Sequence, residues 1–137
     1  MSDWFLAGEE EADAVASVAS GEHSFDDWPH LSVPLRRSEL AALYAALTNS
    51  PHDDPRTPAG LLAVEADAGM IVTRVPAAAV EALAEMTPRT AGPLMVTWSE
   101  AIGHGEPAAL GETLSELAAF ARDATAAGRP VLQLAPY

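Results

Sequence analysis

The chain has 137 residues, no cysteine, and 20 acidic residues against seven basic ones, all arginine, for a formal net charge of -13. A chain of this size fits one domain that buries about two-thirds of its unfolded surface without a covalent or metal staple. The missing cysteines exclude disulfides, thiolate zinc sites and thiol nucleophiles. The missing lysines exclude Schiff-base chemistry and pyridoxal attachment.

Charge is the strongest signal. Asp3, Glu9, Glu10, Glu11, Asp13, Glu22, Asp26 and Asp27 all precede the first basic residue, Arg36. Such a balance repels phosphate backbones, so it argues against nucleic acid and leaves a basic or neutral protein as partner. No apolar run reaches the ~20 residues of a membrane span, and the acidic start does not read as a signal peptide. The expectation is a cytoplasmic protein.

Trp4 to Ala7 is an apolar run that reads as a first strand, released by Gly8. Glu9 to Ser20 places Ala12, Val15, Ala16 and Ala19 at helical spacing, with acids in the first turn and Gly21 as the stop. Residues 21–37 hold Pro29 and Pro34 and resist a helix. Leu31, Val33 and Leu35 alternate there, which predicts a short edge strand limited by Pro34. Ser38 suits the N-cap of a helix to about Thr48, with Leu40, Leu43, Tyr44 and Leu47 on one stripe. Residues 49–58 form a loop.

Leu61 to Ala66 has two readings. It pairs with Met70 to Val75 through Asp67-Ala68-Gly69 as a hairpin, or Pro58 opens a short helix and only Met70 to Val75 is a strand. Pro76 opens the next helix, with Val80, Leu83, Ala84 and Met86 facing one way, and Thr87-Pro88 ends it. Thr90 to Ile102 is a further helix, with Leu94, Met95, Trp98 and Ile102 on one side. Gly103-His104-Gly105 breaks it. The last helix starts at Pro107; Leu110, Leu114, Leu117, Ala118 and Ala121 form its core stripe. Arg122 and Arg129 sit towards its C-terminal end, where the dipole favours them, before Gly128 and Pro130. Val131 to Leu134 is a terminal strand. The class is α+β: one domain over 1–137, with a sheet of three to five strands that includes both chain ends, and four or five helices over one face.

The segment holding His23, Asp26, Asp27 and His30 contains metal-ligand chemistry, since imidazoles with carboxylates suit zinc, manganese or iron. The same segment also reads as structural: Phe25, Trp28 and Leu31 plug the core while the polar residues cap turns or face water. His52, Asp53 and Asp54 repeat the pattern in the long loop, and His104 is a third loop histidine. There is no Walker loop, dinucleotide fingerprint or nucleophile elbow, so no cofactor is expected.

The order Trp4-Phe5-Leu6-Ala7 before Glu-Glu-Glu-Ala, then Ser24-Phe25-Asp26-Asp27-Trp28-Pro29, then Gly-Arg-Pro-Val-Leu-Gln-Leu at the end, is similar to small bacterial proteins of unknown function, particularly actinobacterial ones. That resemblance implies a single-domain intracellular protein and transfers no catalytic residue.

The first expectation is therefore a non-enzymatic interaction domain, of the immunity, inhibitor or accessory kind. It would bind its partner through Glu9, Glu10, Glu11, Asp13, Asp26 and Asp27, with Trp28 as an anchor. The alternative is a metal-dependent or small-molecule enzyme built on His23, Asp26, Asp27 and His30. A third possibility is a homodimer through an apolar patch of Leu94, Met95 and Trp98.

Overall fold

The chain ends pair with each other, and that pairing organises the sheet. The computed structural model describes residues 2–48, 60–103 and 107–136. β1 (Ser2–Leu6) runs antiparallel to β5 (Val131–Pro136), with Phe5 opposite Leu132 and Asp3 opposite Leu134. β2 (His30–Val33) lies on the other side of β1. A hairpin of β3 (Leu61–Glu65) and β4 (Met70–Arg74) joins β5 through β4. The sheet has five strands in the order β2-β1-β5-β4-β3, all antiparallel. The hairpin reading of residues 61–75 is thus the one the fold adopts, and Gly69, at φ +67, supplies the left-handed turn residue.

Every residue of β1 is buried. Because side chains alternate across a strand, a continuous apolar run must be covered on both sides. Trp4 and Leu6 enter one core with Val33, Leu40, Leu43, Leu83, Trp98, Leu114, Leu117 and Val131. That core lies under α2 (Arg37–Thr48), α3 (Ala77–Ala84), α4 (Pro88–Ile102) and α5 (Pro107–Ala127). Phe5 and Ala7 enter a second core with Ala12, Val15, Ala16, Trp28, Val72, Leu132 and Leu134.

The second core departs from the expectation that all helices share one face. Residues 9–20 form a 3-10 turn (Glu9–Glu11), a five-residue helix α1 (Ala12–Ala16) and further turns, rather than one helix, and they cross the opposite face. The apolar positions Ala12, Val15 and Ala16 fit one helical turn. Beyond them, the Ser17 and Ser20 hydroxyls donate to the Ala14 and Ser17 carbonyls and compete with helix continuation. Three local assignments also change. The α2 helix begins at Arg37, so Ser38 lies inside it, and the Glu39 carboxylate accepts from the Arg36 N–H at 3.0 Å. Arg122 reaches across to the end of α3, donating to Ala84 O at 3.3 Å and, just past the helix, to Met86 O at 3.0 Å. Trp98 is fully buried and donates to Glu39 O at 2.9 Å, so it cannot supply an exposed dimer patch with Leu94 and Met95, which pack partly buried against the same core.

A polar bridge crosses the main core. Trp4 Nε1 donates to the Tyr44 hydroxyl at 3.0 Å, and that hydroxyl donates to Gln133 Oε1. Burial holds the phenol well above its usual range, opposed in part by the Trp4 hydrogen bond, so it stays a neutral donor. Removing the hydroxyl leaves Trp4 Nε1 and Gln133, both buried, without their shared partner. Tyr44→Phe should destabilise the fold by about 1–3 kcal/mol. A chemical-denaturation midpoint shift at constant m-value checks this.

Candidate functional site

The layer over the second face, residues 9–29, is where the sequence-predicted residues fall. It contains Glu9, Glu10, Glu11, Asp13, Glu22, Asp26 and Asp27 and no lysine or arginine. Folding therefore gathers these acids over one sheet face, where Arg74 and Arg129 are the cations beside them. On the helix side, the acids are interspersed with Arg37, Arg89 and Arg122.

Two of the expected partner-binding residues are used inside the layer. Trp28 is 9% exposed, and its indole N–H donates to Glu11 Oε2 at 2.7 Å. The other Glu11 oxygen accepts from the Gly8 N–H at 3.2 Å. These contacts lower the Glu11 pKa: the Trp28 hydrogen bond contributes most, then the Gly8 N–H, against some desolvation, with Arg129 adding a weaker attraction. Glu11 and Trp28 thus form the clip that fastens residues 22–29 to the start of the layer, and Trp28 is not a free anchor. Glu9 pairs with Arg74 at 2.7 Å, with both side chains close to half exposed, so the pair contributes little to stability. Glu10 folds back over Gly8, its carboxylate lying 2.2 Å from where a Cβ would stand.

The remaining acids face water. Asp13, Glu22 and Asp26 are exposed, and their carboxylates have no hydrogen bond or ion pair among the described residues. Asp27 is exposed as well, but it accepts from the Ser24 N–H at 3.2 Å while Ser24 Oγ accepts from the Asp26 N–H, closing the turn over Phe25–Asp27.

The histidines join an aromatic cluster. Phe25, 39% exposed, stacks on buried Phe5 at 5.8 Å with planes 14° apart. His30 lies 5.6 Å from Phe25 and 6.2 Å from Phe5, and its Nδ1 is 3.3 Å from Trp28 O. His23 sits over Trp28 at 5.9 Å, with Nδ1 against Ser17 Oγ. Since Ser17 Oγ donates its own hydrogen to Ala14 O at 2.7 Å, the imidazole is the donor in that pair, and the serine is not primed as a nucleophile. His23, Asp26, Asp27 and His30 do not converge: among the described residues no three or more histidines and carboxylates are placed to hold a metal ion. The stacking contacts and the capped turn direct these side chains elsewhere. His52, Asp53, Asp54 and His104 lie outside the described residues.

An open depression of about 310 Å³ adjoins the layer, lined by Gly8, Glu9, Glu10, Arg74, Arg129 and Pro130. Its charges are mixed, and Glu9 already occupies Arg74. The residue that sequence reasoning placed in the core and the structure brings to the surface is Phe25. Its only sequence signal was its place between Ser24 and the two aspartates, in a turn too tight to bury every aromatic. No protein-family model, curated protein or solved structure matches this chain.

Because folded Glu11 keeps its charge below the ordinary value of 4.5, its contacts stabilise the layer fully above that pH and are lost as pH falls through the lowered value. Glu11→Gln should therefore flatten the acid limb of the stability profile. In the wild type, the Trp28 indole N–H resonance should follow a one-proton titration below 4.5. An indole shift that titrates at or above the ordinary carboxylate value would contradict the clip.

Proposed function

We propose that this chain is a protein-interaction domain that docks a basic partner on its acidic layer, as an immunity, inhibitor or accessory factor in the cytoplasm would. The observation that carries the reading is the exposed set Asp13, Glu22 and Asp26, unpaired among the described residues in a segment with no basic residue, together with the exposed ring of Phe25. Unpaired carboxylates on one face steer a cationic partner at long range and lose that effect in salt. An exposed aromatic on a rigid base supplies contact area at low entropic cost. Phe25 has that base, because Phe5 beneath it is fully buried in β1.

The reading moves the interaction surface away from Glu11 and Trp28 and onto Asp13, Glu22, Phe25 and Asp26. Association with the basic partner should slow by about tenfold or more when Asp13, Glu22 and Asp26 are each replaced by lysine, and most of the difference should vanish at ~1 M salt. Melting temperature should stay near the wild-type value, since none of the three side chains has a hydrogen bond or ion pair to lose among the described residues. Stopped-flow or surface-binding kinetics against a partner recovered by salt elution measure the effect. Unchanged association by a folded triple variant would remove the acidic layer from the interface.

A further inference from the structure

The open edge of the sheet beside Phe25 has a backbone pattern that specifies how a partner can attach. Among the described residues β2 is an edge strand, paired only to β1, with Phe5 opposite His30, Trp4 opposite Leu31, Asp3 opposite Ser32 and Ser2 opposite Val33. The Leu6 N–H donates to Pro29 O at 2.9 Å, which marks that position as a hydrogen-bonded pair of the ladder. Antiparallel ladders alternate. Leu31 and Val33 therefore exchange bonds with β1, while the N–H and C=O groups of His30 and Ser32 point outward. The side chains of His30 and Ser32 are exposed and share the sheet face with Phe5, the face of the acidic layer.

We propose that this edge takes an extended cationic segment of the partner, which adds a sixth strand beside β2 and lays its basic side chains across Phe25 and Asp26. The proposal rests on the acidic-layer reading and names the part of that layer that binds. In an added antiparallel strand, the residues whose N–H groups meet His30 and Ser32 carry side chains on the same face as those two. Those are the side chains that reach Phe25. Phe25 stacks on Phe5 and borders His30 yet stays 39% exposed, and exposed Asp26 is its chain neighbour, so a guanidinium or ammonium that meets the ring also gains a carboxylate close in the chain. Charge also sets direction: the basic side chains belong at the His30 end, because Arg36 and Arg37 follow β2 at the other.

Pro29 and Pro34 bracket the strand, so the added ladder is short and its affinity depends on the ring and the charges. The opposite edge, β3, is less suited. A register irregularity between Leu61 and Ala63 breaks its ladder, its half-exposed Leu61 and Val64 are apolar, and its acids, Glu65 and Asp67, come only at the hairpin end.

The test uses the full chain, isotope-labelled, and three short synthetic peptides: alternating arginine and threonine, the same with glutamate for arginine, and the first peptide N-methylated at its arginines. The arginine peptide should bind, slow hydrogen exchange at the His30 and Ser32 amides, and shift the Phe25 ring resonances. The glutamate peptide should not bind. N-methylation, which keeps the charge and removes the inward N–H groups, should weaken binding by about tenfold or more. Phe25→Ala should weaken the arginine peptide to a similar degree, and thermal melting verifies that this variant is folded. Equal affinity of the N-methylated peptide, or binding that leaves His30 and Ser32 unprotected, overturns strand addition while leaving the acidic layer as the docking face. Failure of the arginine peptide to bind the folded chain also overturns it. The acidic-layer reading fails separately, through the lysine triple variant against the natural partner.

Discussion

The antiparallel pairing of β1 with β5 is the constraint on which the rest depends. It joins the two ends of the described chain, and it does so with strands buried on both faces. A pair like this cannot sit at a solvated surface; each side needs a covering layer. Four helices cover one side. The other is left to residues 9–29, which are short of large apolar side chains and crowded with carboxylates. An acidic segment is thereby held on a hydrophobic sheet.

That arrangement explains why the layer needs its own fastening. α1 is only five residues long and could not persist alone. It is held by Val15 and Ala16, which enter the second core as α1 packs over β3 and β4, and by the Glu11 carboxylate, which ties Trp28 back to Gly8. Glu11 and Asp27 thus serve structure, and Glu9 a surface pair with Arg74. The others remain in water. Net self-repulsion within the layer is the cost of keeping them together, and a cationic partner would relieve it.

Much of the architecture was legible because it depends on periodicity. The stripes of α2, α3 and α5, the edge position of β2 before Pro34, and the terminal strand all follow from the spacing of apolar residues and from proline chemistry. The two-sided covering was also present in the continuous run Trp4-Phe5-Leu6-Ala7, although the helical spacing in residues 9–20 suggested one more helix on a single shared face rather than a layer on the other. The site was less legible. Trp28 and Phe25 sit three residues apart in one turn, and composition cannot say which is buried; the Glu11 hydrogen bond decides in favour of Trp28. Likewise, histidine and aspartate at close spacing look the same in sequence whether they gather round an ion or, as here, separate into a capped turn and an aromatic stack.

The central claim is that the uneven charge along the chain becomes an uneven charge between the two sheet faces. Paramagnetic relaxation of backbone amides by a cationic and a neutral soluble nitroxide tests it most directly. The cationic probe should be concentrated over residues 13 and 22–30 relative to the neutral one, more strongly than over α3 to α5, and the excess should fall with salt. Equal enrichment over both faces would contradict the account.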